Sequence, residues 1–245
     1  MKRINSILFV FVFLGLYLFT YNLDSSILDK EIKKKISTSI TISKPSWKIE
    51  IQNTKDSFEL HSLNATQEEN KGVFLLEEPF FSSYRDKNFK SSASSKLATL
   101  DLSENKLVMR NSVQLTITET DQKIDLFSEN INFDMRNKTF SSKTKVQMKN
   151  NSFKLNSKGF EFLQNSNGAN ELLFSKANFE ENSAFKDNFY GKANLIIYKS
   201  SSDTFTLKGS AEIQLESTLV TAEEIEFNFK TKKIISSKKS KIIKS

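Results

Sequence analysis

Beyond Pro45 the chain alternates between apolar and polar positions. Leu100 and Leu102, Leu107 and Met109, Val113, Leu115 and Ile117, Ile124 and Leu126, Ile131, Phe133 and Met135, Val146 and Met148, and Phe153 and Leu155 each leave a polar residue between apolar ones. A period of two gives each segment one dry and one wet face and predicts half-buried β-strands. The connections "LSENKL", "MRNKTF" and "MKNNSF" are short and polar. They suit hairpins and leave no room for the crossovers of a parallel sheet. The expected fold is therefore all-β and antiparallel, with helix nearly confined to the N-terminus. With only 6 glycines and 2 prolines, asparagine is expected to supply much of the left-handed turn geometry.

The pattern recurs. "SENINFDMRN" (128–137) places Ile131, Phe133 and Met135 on one face, and "AEEIEFNFKT" (222–231) does the same with Ile225, Phe227 and Phe229. "NKLVMRNSVQLT" (105–116) resembles "DTFTLKGSAEIQL" (203–215), with Asn111-Ser112 aligned to Gly209-Ser210, and residues 58–80 carry a weaker echo. A repeated β unit whose wet and dry faces never exchange implies a solenoid-like stack or a jelly-roll trough. In any β-sandwich the same apolar residues would simply pack on one another, so alternation alone does not separate core from groove.

The N-terminus breaks this texture. After Met1-Lys2-Arg3, residues 4–23 carry no charge, and as a helix they would span roughly 30 Å of hydrocarbon. The flanking Lys2 and Arg3 place the short end in the cytoplasm and export the remainder. An A-x-A-like cleavage site is missing, which favours an uncleaved anchor over a signal peptide. Residues 24–44 read as a spacer, with "DKEIKKK" either solvated or touching anionic headgroups.

Composition removes most catalytic designs. Cysteine is absent and His61 is the lone histidine, so disulfides, thiolate metal sites and Ser-His-Asp triads lack their parts. His61 reads as a solvent-facing strand residue. The S-x-x-K spacings at Ser142-Lys145 and Ser236-Lys239 fall on strands or turns, where positions i and i+3 point apart. Glu77-Glu78 and Glu223-Glu224 are adjacent and face apart in a strand, which disfavours a two-carboxylate hydrolase. No enzyme, metal site or cofactor is expected. The net charge of +7 gathers in the tail, where Lys230, Lys232, Lys233, Lys238, Lys239, Lys241 and Lys244 stand without an acid. Edge-strand lysines that block sheet pairing, contact with acidic lipid headgroups and nucleic-acid binding compete as explanations. The last is least favoured, because an exported domain is separated from cytoplasmic nucleic acid.

The ordered set "LNA", "LLEEPFFSSYRDK", "ATLDLSENKLVMRNSVQLT" and "LFSENINFDMRNKTFSSKTKVQMKNNSFKLNSKGFEF" behind a charge-poor N-terminal segment resembles the LptC family of lipopolysaccharide export proteins. The family's marked positions fall on Asn111-Ser112-Val113, Asn132-Phe133-Asp134, Val146 and the glycine near the end of the core domain, Gly159. The tail "GSAEIQLESTLVTAEEIEFNFKTKKIISS" is similar to the OstA or LptA repeat. The chain departs from the pattern by running on into this second unit. The resemblance implies an OstA-like β-jelly roll or open trough behind one transmembrane helix. Its units would be an anchor or uncleaved signal at 1–23, a linker at 24–44, an LptC-like jelly roll at 45–165 and a second OstA-like unit at 166–245. It further implies an inner-membrane, single-pass protein with its β domain in the periplasm. Such a protein would receive lipopolysaccharide or a related glycolipid from an ABC transporter of LptB-, LptF- and LptG-like subunits and pass it to an LptA-like protein. The candidate groove lining is Leu100, Leu102, Leu107, Met109, Val113, Leu115, Ile117, Ile131, Phe133, Met135, Val146, Met148, Phe153, Leu155, Ile225, Phe227 and Phe229. A structural or adhesive envelope repeat without lipid transport is the alternative.

Overall fold

The computed structural model describes residues 39–50, 55–67, 72–86, 88–119, 122–150, 152–164, 170–181 and 189–244. The expected anchor, the first part of the linker and the 165/166 boundary lie outside the described residues. From residue 39 onward the chain forms one unit.

In chain order its strands are β1 (Ile40–Ser43), β2 (Ser46–Glu50), β3 (Asp56–His61), β4 (Asn64–Gln67), β5 (Val73–Glu77), β6 (Phe80–Arg85), β7 (Asn88–Ser94), β8 (Leu97–Asp101), β9 (Lys106–Glu119), β10 (Gln122–Asp134), β11 (Thr139–Ser142), β12 (Val146–Lys149), β13 (Phe153–Ser157), β14 (Gly159–Gln164), β15 (Asn170–Glu181), β16 (Tyr190–Lys199), β17 (Thr204–Leu215), β18 (Thr218–Asn228), β19 (Lys233–Lys238) and β20 (Lys241–Lys244). Helix among the described residues is limited to the 3-10 turn Ser200–Ser202. Among the described residues all pairings are antiparallel and belong to one continuous sheet.

That sheet is folded along a crease into two layers. The front layer runs β1, β4, β5, β8, the first half of β9, the second half of β10, β11, β14, the first half of β15, the second half of β16, the first half of β17, the second half of β18, and β19. The back layer runs β2, β3, β6, β7, the complementary halves of β9 and β10, β12, β13, the complementary halves of β15 to β18, and β20. Each long strand therefore serves both layers, whereas the short strands change layer at the crease.

The aligned repeat explains how long strands bend. Asn111 and Ser112 have φ of 64° and 60°, and Gly209 and Ser210 have φ of 72° and 50°. Two successive left-handed residues redirect the strand and skip one inward position, so Met109 and Val113 both stay inside, as do Leu207 and Ala211. The register shifts between Lys208 and Ala211 at the same place. At Gly209 an added Cβ would also stand 3.1 Å from Asn194 Nδ2.

Two expectations change. Left-handed turn residues among the described positions are more often lysine (Lys44, Lys138, Lys176, Lys232, Lys239) than asparagine (Asn105, Asn111). The left-handed penalty is about 1–2 kcal/mol per residue, and at Lys138 and Lys232 an ion pair partly offsets it. The segment read as a spacer also ends in β1, an exposed edge strand on β4.

Candidate functional site

Because directly opposed residues on paired strands share a face, the register defines what lines the space between the layers. On the front layer one inward row reads Ile40, Gln67, Phe74, Leu100, Leu107, Phe133, Phe140, Phe162, Leu172, Tyr198, Phe205, Phe227, Ile234, with one residue from every strand. On the back layer a matching row reads Trp47, Leu60, Phe81, Ala93, Leu115, Leu126, Met148, Leu155, Phe179, Gly191, Ile213, Val220, Ile242. Gln67 is the single polar member of either row. Gly191 has a steric reason to be glycine: a Cβ there would lie 2.4 Å from the Phe179 ring.

Of the residues singled out from the alternation, Leu100, Leu107, Met109, Val113, Leu115, Ile117, Ile131, Phe133, Met135, Val146, Met148, Phe153, Leu155, Ile225, Phe227 and Phe229 are buried in one continuous cluster. Leu102 departs from them and is 42% exposed. Strand β8 ends at Asp101, whose Oδ1 accepts hydrogen bonds from the Ser103 and Glu104 amides and starts a turn. The period-two rule stops with the strand. Met135 and Phe229 occupy the same place in the later turns 134–139 and 228–233 and are buried, Phe229 against the rings of Phe153, Phe189 and Phe205. The sequence reading passed over Phe58, Phe81, Phe140, Phe162, Phe179 and Phe205, which complete the same wall. Their signal was present as alternations such as "GFEF" in the short β14 and "TFTL" at the start of β17.

Across the space the rows meet through aromatic rings. Phe133 lies 5.1 Å from Phe58 and 4.7 Å from Phe81 between ring centroids, and it stacks on Phe140 at 4.5 Å. Further along, Phe153 meets Tyr198 at 5.3 Å and Phe205 at 4.9 Å, while Phe179 stacks on Phe205 at 4.5 Å. These rings lie toward the rim opposite the crease. At the crease the interior is polar and small: Ser128 Oγ hydrogen-bonds with Thr144 Oγ1 at 2.8 Å and with Ser142 Oγ at 3.2 Å. Ser142 of the S-x-x-K spacing is thus held in a structural hydroxyl network. Gly159 packs there as well, since a Cβ would approach the Ser142 carbonyl oxygen to 2.7 Å. His61 is exposed at the end of β3.

The open rim is closed by polar clasps. The front-layer turns carry left-handed residues at Lys138, Asp203 and Lys232, and each reaches the opposite layer. Lys138 Nζ pairs with Asp56 Oδ2, Gln122 Nε2 donates to Asp203 Oδ1 at 2.6 Å, and Lys232 Nζ lies 2.9 Å from Glu181 Oε1. Tyr198 Oη donates to Gln122 Oε1 at 2.9 Å. Asp56 also accepts from Arg85 Nε at 2.8 Å. Burial pushes the Asp56 carboxyl up, but hydrogen bonds from Arg85 and Lys138 outweigh it and leave the group below its ordinary value. Beneath this clasp is a cavity of about 60 Å³ floored by Phe58, Phe133, Phe140 and Phe162, room for a few waters and too small for an acyl chain.

The two ends differ from the middle. Ile40 and Ile42 on β1, and Ile235, Ile242 and Ile243 on β19 and β20, are exposed on strands that are sheet edges among the described residues. The basic tail forms the two C-terminal edge strands, with Lys239 paired to Glu223 at 2.9 Å.

A family profile described as lipopolysaccharide-assembly, LptC-related, matches residues 7–173. A second, described as LptA/(LptD N-terminal domain) LPS transport protein, matches residues 125–233. The two matches overlap across β10 to β14 and the start of β15, where the first copy of the repeat passes into the second. Comparison with curated proteins finds no match. Among solved structures, the chain is similar to LptH of Pseudomonas aeruginosa, the LptA homologous periplasmic component of that organism's lipopolysaccharide transport device, at 15% identity and a TM-score of 0.46, covering 51% of this chain and 96% of LptH. With the first profile spanning most of its length and meeting a folded, apolar-lined sheet, the chain belongs to the LptC-related lipopolysaccharide-assembly family.

Proposed function

We propose that the space between the layers is a passage for the acyl chains of lipopolysaccharide or a related glycolipid. The observation that carries this reading is the pair of inward rows, which cross every strand of each layer with one polar interruption between them. Exposing an acyl chain of about a dozen methylenes to water costs on the order of 10 kcal/mol at about 0.8 kcal/mol each. A lipid with several chains needs a continuous apolar wall with its headgroup left outside, and a creased sheet with one open rim offers that arrangement. Met109, Met135 and Met148 add side chains that adapt to a moving partner.

In this proposal residues 1–23 anchor the protein in the inner membrane and the β unit stands in the periplasm. Lipid arrives from an ABC transporter with LptB-, LptF- and LptG-like subunits, enters between the layers, and leaves toward an LptA-like protein. The segments 45–165 and 166–245 serve as two stretches of one trough. The exposed edges of β19 and β20 offer backbone groups for strand addition by that partner. The protein acts as a conduit without catalysing a reaction.

One observation favours the alternative of a structural envelope repeat: in this conformation the described inward residues pack together in one buried cluster. The conduit must therefore open at the rim. Photo-crosslinking from Phe133 and Phe227 in living cells tests the proposal. Lipid adducts at both positions, absent at the outward neighbours Asn132 and Glu226, are the expected result. Capture at neither inward position would sink the transport reading.

A further inference from the structure

The clasps differ in charge. At Glu181 and Lys232 one carboxylate meets one ammonium, and at Gln122 and Asp203 a carboxylate meets an amide. At Asp56 a single carboxylate holds both Arg85 and Lys138, and Lys90 lines the same cavity. Among the described residues no other acid lines it, and the neighbouring Asp86 is paired with Lys55 at 2.9 Å. Three cations against one buried anion, directly above a floor of phenylalanine, is the arrangement suited to an amphiphile with a doubly charged anionic head.

We propose that the Asp56 clasp is a phosphate-binding subsite, in which the Asp56 carboxylate is an internal stand-in for the ligand. An incoming phosphate displaces that carboxylate and takes Arg85 as a fork and Lys138 as a point charge, with Lys90 adding a third donor at the rim. The displaced clasp frees the front rim, and the chains attached to the phosphate lie against Phe58 and Phe133. Binding of the headgroup and opening of the rim are then one event. This inference rests on the conduit reading for its lipid, while the anion site itself stands on the cluster alone.

The test uses the full chain in detergent micelles with a photoreactive residue in place of Phe162. The probes are a phosphorylated acylated disaccharide, the same lipid stripped of phosphate, and inorganic phosphate alone. The expected result is that wild type captures the phosphorylated lipid at least about tenfold better than the stripped one, the scale of one lost charge-assisted contact pair. Arg85→Gln/Lys138→Gln removes the preference, read as the ratio of phosphorylated to stripped lipid captured, whereas Lys232→Gln keeps that ratio. The triple variant Asp56→Asn/Arg85→Gln/Lys138→Gln orphans no charge and gives the same loss if the double variant folds poorly. Equal capture of both lipids by wild type, or a preference that survives the double and triple variants, overturns the subsite. If wild type captures neither lipid, the conduit reading fails and inorganic phosphate decides the subsite. Phosphate binding by wild type and not by the triple variant supports a site for free phosphate, and its absence from both overturns the inference.

Discussion

Lys138 and Lys232 hold the same left-handed position in two equivalent front-layer turns, with φ of 56° and 54°, and each grips a carboxylate of the back layer. The equivalence extends to the turn starters: Asp134 Oδ1 accepts from the Arg136 and Asn137 amides, and Asn228 Oδ1 accepts from the Thr231 amide. A repeated turn thus places a repeated latch, and the latch holds the two rims together wherever a back-layer acid lies opposite.

A water-soluble carbodiimide converts such contacts into amides. Treatment of the purified protein is expected to join Glu181 to Lys232 and Asp56 to Lys138, read by peptide mass mapping, and saturating glycolipid is expected to suppress both links. Persistence of both links at full lipid occupancy would show that lipid does not pass the rim.

Acid should loosen the first latch. The Asp56 carboxyl is depressed in the folded state, so its stabilisation is fully present above the unfolded value of about 3.9 and is lost as pH falls through the folded value. The Asp101 and Asp134 carboxyls are depressed as well, by Ser103 and by the Asn137 amide respectively, each first among several hydrogen bonds. Urea midpoints are expected to fall below about pH 4, with a shallower fall in Asp56→Asn. An identical slope in that variant would remove Asp56 from the account.

Gly191→Ala is expected to destabilise the protein by about 1–3 kcal/mol in urea unfolding, the usual cost of overpacking, because its new methyl meets the Phe179 ring at 2.4 Å. Combining it with Phe179→Leu should recover part of the loss. Independent, additive effects would show that the two residues do not compete for that space.

Phe133→Ala should cost about 3–5 kcal/mol, since the ring contacts Phe58, Phe81 and Phe140 at once. Leu102→Ala should stay within about 0.5 kcal/mol. Equal losses in thermal or urea unfolding would mean that the turn at Leu102 closes over the trough in solution.

Charging the C-terminal edge should weaken partner capture. Ile235→Lys combined with Ile242→Lys places cations on exposed edge strands, a change that discourages strand addition. Recovery of an LptA-like protein in pull-down is expected to drop while the urea midpoint of the isolated chain holds. Unchanged recovery would move the contact to β1 and β2.

Much of this was legible in the order of residues. Alternation at Ile131-Phe133-Met135 and its echo at Ile225-Phe227-Phe229 fixes strand, face and repeat together, because a period of two admits one inward set. Asn111-Ser112 and Gly209-Ser210 could be aligned from sequence, yet their role as a bend needed φ values, since both pairs sit inside runs that otherwise alternate as strand. The latches were not readable. Asp56 and Lys138 sit on different layers, and their meeting depends on how far one layer slides past the other, a quantity set by sheet twist and not by local pattern. Leu102 failed for a local reason: its spacing is right, but strand β8 ends at Asp101 and leaves it exposed.

The creased sheet also acts as a ruler. Strands stand about 4.8 Å apart along the hydrogen-bonding direction, and each layer takes roughly a dozen such steps from β1 or β2 to β19 or β20, so a wall on the order of 50–60 Å is written into strand number alone. Because the bend is encoded by a two-residue step that recurs with the repeat, adding or deleting a whole repeat would change the distance spanned without altering the cross-section. Reach and bore are therefore set by separate parts of the sequence, and natural selection can tune one while leaving the other alone.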